Sequence, residues 1–279
     1  VSGTLYVVAT PLGNLEDISP RALRLLREVD VVACEDTRRT GRLLARYEIE
    51  VPTLSCHRFN ERERLDPILE RIRRGERVAL VSDGGTPGIA DPGAALVEAA
   101  LEEGLTVSPI PGASAVTTLL SASGMPADRY VFDGFLPHRA GERRRRLREL
   151  AGETRTVVVY ETPHRIRECL ADISEVLGER KLVLGRELTK VHETLLRGSA
   201  AGVLAQLGDG EIKGEIALVL DGADPTAVHR DDRAEQVLAL WRAALEETGD
   251  RRQALRRVAK DSGMKRAELQ RYLAELGED

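Results

Sequence analysis

Cysteine is sparse and scattered: Cys34, Cys56 and Cys169 stand far apart, with no Cys-x-x-Cys pair among them. That excludes a disulfide framework and a cysteine-ligated zinc site. No run reaches the roughly 18 uninterrupted apolar residues that a membrane span needs, and the apolar stretch Val1 to Leu12 follows no basic segment. The expectation is a soluble, cytoplasmic protein without a membrane partner. Several catalytic signatures are missing as well. There is no Gly-x-x-x-x-Gly-Lys-Ser/Thr loop, no His-Glu-x-x-His and no Gly-x-Ser-x-Gly, which argues against P-loop nucleotide hydrolysis, zinc proteolysis and serine hydrolysis. No metal requirement is expected. A dinucleotide-type Gly-x-Gly-x-x-Gly turn is lacking too, because the first strand runs into Thr10-Pro11-Leu12-Gly13-Asn14 with its single glycine.

What is there fits a folded protein. The 279 residues suggest two domains and an appendage, and 42% hydrophobic with 31% charged residues lies in the globular range. The formal charge of −5, from 41 basic and 46 acidic residues, gives no global positive field, so any nucleic acid must be met by a local patch. Basic residues are 36 Arg and only 5 Lys. Rigid guanidinium forks suit phosphate recognition; a GC-rich coding bias or a heat-adapted surface accounts for the same usage.

Short β-branched runs alternate with amphipathic stretches. Leu5 to Ala9, Val29 to Cys34, Val78 to Ser82 and Thr106 to Ile110 read as buried strands, with helices at Pro20 to Val29, Arg38 to Tyr47, Glu61 to Arg74 and Pro92 to Glu103. This order implies a parallel sheet with right-handed crossovers. The pattern resumes with a small-residue helix, Ala113 to Gly124. Strands follow at Val131 to Phe132, Thr156 to Tyr160, Lys181 to Arg186 and Glu215 to Leu220, with helices at Arg139 to Leu150 and His164 to Leu177. Asp221 to Pro225 reads as a linker to helices at Ala234 to Glu247, Arg251 to Lys260 and Lys265 to Leu276. The fold class is therefore α/β, with α/β domains over 1–111 and 112–222, then a linker and a helix-turn-helix-like tail over 223–279.

Three turns concentrate glycine, proline and small residues at strand ends. They are Thr10 to Asn14, Ser82 to Gly93 with four glycines in twelve residues, and Pro111 to Ala115. Such loops let a ligand approach the backbone closely, so together they define a pocket. Two basic features stand apart from it. Arg143 to Arg146 fan around a helix, which suits either a polyanion-contacting surface or a solvated helix. Arg251 to Tyr272 carries eight basic residues, among them Arg256 and Arg257, against Asp261 and Glu268. That excess suits an RNA backbone or a solvated face.

Thr10 to Ile18, Glu35-Asp36-Thr37-Arg38 and Ser82-Asp83-Gly84-Gly85-Thr86-Pro87 resemble the tetrapyrrole methylase superfamily. Phe135-Leu136-Pro137, Tyr160 to Arg165, Arg186 to Lys190 with His192-Glu193, and Lys213-Gly214-Glu215 are similar to its branch acting on small-subunit ribosomal RNA. One departure is Gly84, where that branch carries Ala. The resemblance implies two α/β domains with S-adenosyl-L-methionine in the cleft between them, a homodimer, and 2′-O-methylation of a cytidine in the decoding region of 16S ribosomal RNA. It implies donor contacts at Pro11, Gly84, Gly85, Thr86, Ile89, Ser114, Ala115, Glu161 and Leu188.

Methyl transfer to a sugar hydroxyl needs positioning and profits from a base. Glu35 and Asp36 are the leading candidates for the base, and Glu187 and Glu193 are further ones, although mixed charges also build structural ion-pair networks. Arg38 and Lys190 are expected to hold phosphate. Two other functions compete: a methyltransferase acting on a corrin-type small molecule or a protein side chain, and a nucleic-acid-binding regulator without catalysis. The basic features favour RNA over a small molecule, and the long loop motifs count against the regulator.

Overall fold

The computed structural model describes residues 3–276 and Glu278, with all their side chains except those of residues 227–235 and Glu275. Val1 and Ser2 of the apolar first run, and Gly277 and Asp279 of the tail, lie outside the described residues. The chain divides into one compact unit over 1–222 and another over 223–279.

In the first unit, strands β1 (Thr4–Val8), β2 (Val31–Cys34), β3 (Thr53–Ser55), β4 (Arg77–Val81) and β5 (Thr106–Ile110) form a parallel sheet in the order β3-β2-β4-β1-β5. The central strands β2 and β4 are buried on both faces, which is why they are almost wholly apolar, whereas the edge strands β3 and β5 carry polar residues and are partly exposed. Helices α1 (Pro20–Glu28) and α2 (Thr37–Arg46) cover one face, where Leu25, Leu26 and Leu44 meet Val8, Val32 and Val81. Helices α3 (Glu61–Arg73) and α4 (Ala94–Glu102) cover the other, with Ile68, Ile72 and Leu96 against Leu5, Val31 and Leu80. Helix starts follow the local chemistry. Ser19 accepts from Ala22 N ahead of Pro20, and Asp36 accepts from Arg38 N. Helix α4 starts at Ala94, two residues later than Pro92, because Gly93 adopts φ +124°.

Helix α5 (Ala115–Ser123) leads into a second sheet of β6 (Tyr130–Phe135), β7 (Thr156–Glu161), β8 (Lys181–Arg186), β9 (Thr194–Ser199) and β10 (Ile216–Leu220). Its order is β6-β7-β10-β8-β9, and only the β6–β7 pair is parallel. Helix α5 covers one face through Val116, Leu119 and Leu120. Helices α6 (Ala140–Glu149), α7 (Ile166–Leu177) and α8 (Ala200–Gln206) cover the other through Leu147, Cys169, Leu170 and Val203.

The second unit holds α9 (Pro225–Thr248), α10 (Arg251–Asp261) and α11 (Arg266–Glu275) around Trp241, Val258, Leu269 and Leu273. Helix α9 begins at Pro225, inside the expected linker, with Asp224 as its cap. No helix among the described residues is long and apolar enough to cross a membrane.

Candidate active site

The chain leaves β1 toward β2 on one side of the first sheet and leaves β4 toward β5 on the other. Strands β1 and β4 are neighbours, so their carboxyl ends flank the crevice where open α/β sheets bind ligands. The loops after them are knitted together. Thr10 and Gly85 exchange backbone hydrogen bonds of 2.8 and 2.9 Å, Thr10 Oγ1 donates to Ser82 O, and Thr86 Oγ1 donates to Ala113 O of the third loop. Close packing explains the small residues. A Cβ on Gly84 would lie 3.3 Å from Pro11 O, one on Gly112 would lie 2.9 Å from Ala9 Cβ, and Gly85 sits at φ +93°.

These loops form one wall of a cavity of about 230 Å³ whose other wall comes from the second sheet. Eight of the nine residues implied as donor contacts meet there: Gly84, Gly85, Thr86, Ile89, Ser114, Ala115, Glu161 and Leu188. Pro11 is the exception and lines a second cavity. Sequence reasoning missed Asp91, Phe135, Tyr160 and Glu215 of the same walls, although all four lie inside or beside motifs it singled out. The Tyr160 ring packs edge-on against Phe132 and Phe135 at 5.0 and 5.5 Å. Burial, reinforced by the Asp91 charge, pushes its phenol up to about 12.

Glu161 is buried at the end of β7. Its Oε1 accepts from Thr162 N (2.6 Å) and Arg165 Nε (2.8 Å), whereas Oε2 is buried with no hydrogen-bond partner among the described residues. The neighbouring Cys169 thiol, held protonated by burial and by the Glu161 charge, offers at most a weak S–H donor. A buried carboxylate oxygen left open in a cavity wall fits a ligand that brings a polar hydrogen.

The second cavity, about 440 Å³, is lined by Pro11, Gly13, Arg39, Arg42, Ser82, Asp83 and Lys190, and shares Leu12 and Glu215 with the first. Arg42 is exposed and forms no ion pair among the described residues. The Lys190 stem covers Gly13 so closely that a Cβ there would overlap it. Its Nζ lies 2.8 Å from Glu187 and 3.1 Å from Glu215. Burial opposes its charge, but the two hydrogen bonds prevail and raise its pKa.

Acidic groups crowd the junction. Burial, then the charges of Glu35, Asp83 and Glu215, push Asp91 up to about 6 against a hydrogen bond from Ser82. Burial also raises Asp83 and Glu35. Asp36, expected as a base, has a different part. Its oxygens accept from Arg38 N (2.8 Å), Nε (3.1 Å) and Nη2 (2.9 Å), and Arg38 holds it at about 2, so it caps α2 and fixes Arg38. No group of His, Cys, Asp or Glu among the described residues could hold a metal ion.

The arginine run departs from its expectation as a single polyanion-contacting fan. Arg143 is buried against Asp172, Arg144 pairs with Glu175, and Arg146 pairs with Asp133 and Glu149. Arg145 is the most exposed of the four and has only a long 3.8 Å pair with Glu149. This pairing is invisible in a run of identical charges, because it depends on acids 13 to 31 residues away, on β6 and α7. In the tail, Arg257 pairs with Glu247, while Arg256 is exposed outside any ion pair among the described residues.

Residues 4–203 match the family model of the Tetrapyrrole (Corrin/Porphyrin) Methylases. A Synechocystis protein named Ribosomal RNA small subunit methyltransferase I is 43% identical over 99% of both chains. Its namesake from Escherichia coli O157:H7 is 41% identical over 98% of this chain and 95% of its own. The one from Thermotoga maritima is 44% identical over 80% of this chain and all of its own. Among solved structures, a diphthine synthase superposes with TM-score 0.58 at 18% identity, covering 79% of this chain and 90% of its own. Uroporphyrin-III C-methyltransferase of Thermus thermophilus, complexed with S-adenosylhomocysteine, gives TM-score 0.55 at 20% identity over 81% and 100%. These two share the fold. The chain belongs to the tetrapyrrole methylases, in their branch of ribosomal RNA small subunit methyltransferase I proteins.

Proposed function

We propose that the chain transfers a methyl group from S-adenosyl-L-methionine to the ribose 2′-hydroxyl of a cytidine in the decoding region of 16S ribosomal RNA, acting in the cytoplasm as a homodimer on the small ribosomal subunit. The observation that carries this reading is the junction of the two cavities across Leu12 and Glu215, one largely apolar, the other bordered by Arg39, Arg42 and Lys190. The names of the relatives support the RNA acceptor, and the family resemblance supports the dimer.

The first cavity suits the donor. Asp91, Glu161 and Glu215 place carboxylates around a molecule that carries a sulfonium and an ammonium, and the open Glu161 Oε2 can accept one of its polar hydrogens. Phe135 and Tyr160 offer ring surface to an adenine. When bound, S-adenosyl-L-methionine supplies an electrophilic methyl group; the chain's own work is to position the acceptor and take its proton.

In the second cavity Arg42, unpaired among the described residues, holds phosphate, with Lys190 beside it held by Glu187 and Glu215, and Asp83 takes the hydroxyl proton. Asp83 is fixed through Oδ1, which accepts from Asp36 N at 3.0 Å, and burial raises its basicity. Glu35 lines neither cavity and acts through the charge of the cluster. The test is incubation with radiolabelled donor and unmodified small subunits, followed by nucleoside analysis of the RNA. Label in 2′-O-methylcytidine is expected, with kcat lowered on the order of 10²-fold in Asp83→Asn. Label in protein, or transfer only to an added macrocycle, would overturn the acceptor assignment.

A further inference from the structure

The chain leaves β3 beside the acid cluster. Cys56 N donates to Cys34 O (2.8 Å), so the segment that follows departs from the sheet edge that also carries Glu35 and Asp36. Its next four residues fold back on themselves. His57 N donates to Asn60 Oδ1 (2.7 Å), Asn60 N donates to His57 O (3.0 Å), and Phe59 N donates to His57 Nδ1 (3.2 Å). Helix α3, which begins directly afterwards, is tied to the glycine-rich loop because Glu61 Oε1 accepts from Gly93 N at 2.8 Å. His57 lies near the Glu35 carboxyl.

This frame holds Phe59 out in solvent with 93% of its surface exposed. Its one ring neighbour among the described residues is His57, edge-on at 6.2 Å and 67°, which leaves a ring face open. Arg58 and Arg62 flank it, both exposed and both outside any ion pair among the described residues. The contrast with the neutralised Arg143, Arg144 and Arg146 is physical: here positive charge has been left available. Its neighbours in the chain are Arg58, Asn60, Glu61, Arg62 and Glu63, all polar or charged, unlike the apolar residues that centre a protein interface. A lone aromatic face between unpaired guanidinium groups instead matches an unstacked base and its phosphates. Because the loop is already folded, little further ordering is needed to use it.

We propose that Phe59, Arg58 and Arg62 form a stacking platform for an unpaired base of the RNA substrate that flanks the methylated nucleotide. The proposal rests on the RNA reading above. Phe59 stacks on the base while the two arginines meet phosphates on either side, and this holds the strand whose neighbouring ribose enters the second cavity. Loss of one such stack weakens binding about fivefold to a hundredfold.

The test uses the full chain with unmodified small ribosomal subunits. Phe59→Ala should raise KM for subunits by that factor while donor affinity, measured by calorimetry, stays unchanged; Phe59→Trp should restore KM. The double variant Arg58→Ala/Arg62→Ala should lower the slope of log affinity against log salt by about 1.4 for two single-strand phosphates. An unchanged KM in Phe59→Ala overturns the platform, as does a change of oligomeric state on sedimentation, which would make Phe59 a contact between copies. Should the native protein bind no RNA, the acceptor reading itself fails, and the wild-type control shows this before any variant is compared.

Discussion

Arg143 Nη2 lies 2.6 Å from Asp172 Oδ2 between α6 and α7, with 1% and 9% of the two side chains exposed. The guanidinium also donates to His138 O (3.3 Å) and approaches Glu168 (3.6 Å). Removing one partner of a buried pair strands the other charge in a poor solvent, at a cost of about 3–5 kcal/mol. Arg143→Ala should fall at or just below the low end of that range, because Arg144 can still reach Asp172 at 3.6 Å. Arg145→Ala, at an exposed 3.8 Å pair, should change stability by less than about 0.5 kcal/mol. Urea unfolding at constant m-value separates the two, and equal midpoints would contradict the burial argument.

Gly84 and Gly85 are adjacent but not equivalent. Gly84 has no positive φ, and its added Cβ would meet Pro11 O at 3.3 Å, a contact relieved by a shift of a few tenths of an ångström. Gly84→Ala should therefore keep donor affinity and gain or lose only about 0.5 kcal/mol, since reduced freedom of the unfolded chain offsets the tight contact. Gly85 sits at φ +93°, where any side chain is strained by about 1–3 kcal/mol. Gly85→Val should weaken donor binding at least tenfold by deforming the Thr10–Gly85 bridge. Calorimetric titration with S-adenosyl-L-methionine reads both, and equal affinities would place the loop away from the donor.

Asp91 should make donor binding depend on pH. Burial raises its pKa to about 6 in the free protein, so near neutrality it is ionised and below 6 it is protonated. A cationic donor favours the carboxylate and lowers that pKa, so binding releases a proton in the interval between the two values. Affinity should rise with pH up to about 6 and then level off, and Asp91→Asn should flatten the curve. Stability of the free protein has the opposite sign. The folded state holds the proton more tightly than the unfolded chain, so stability contributed by this group is present below the ordinary Asp value and falls as pH rises through about 6. Thermal melts of wild type and Asp91→Asn across pH 4 to 8 check the second statement, and parallel curves would refute it.

Much of this architecture was legible because its signals are local. The apolar runs of β1, β2 and β4 are buried on both faces, and the glycine-rich turns follow them directly. Strands β3 and β9 and helix α8 were not anticipated. The first is three residues long, β9 carries Arg197 and Gly198 at the partly buried sheet edge, and α8 is a seven-residue helix containing Gly202. The mostly antiparallel second sheet was hidden too, since strand direction depends on connections that periodicity does not report. Within the site, the loops were readable, but charge partners were not. Arg143 finds Asp172 29 residues away, and Lys190 finds Glu215 25 residues away.

Deleting Ala223–Asp279 should leave donor binding intact and weaken binding to the ribosomal substrate. Every residue lining the two cavities lies in the unit ending at Gly222, and the tail has its own core around Trp241 and Val258. The Thermotoga relative is matched along its whole length by 80% of this chain, so membership of this branch does not require the remaining fifth. The tail still carries an excess of positive charge. Arg251 lies over Trp241 and Arg257 pairs with Glu247, but Arg256 is unpaired among the described residues, and Arg251 to Tyr272 holds eight basic against two acidic groups. Each phosphate that the shortened protein no longer neutralises should lower the salt slope by ~0.7–0.9. Binding to unmodified subunits across a salt series, with folding verified by circular dichroism, measures the difference. Equal slopes for the two proteins would mean that the tail's charge remains solvated in the complex. Arg42, Arg58 and Arg62, guanidinium groups of the first unit unpaired among the described residues, would then have to carry the electrostatic attraction to RNA.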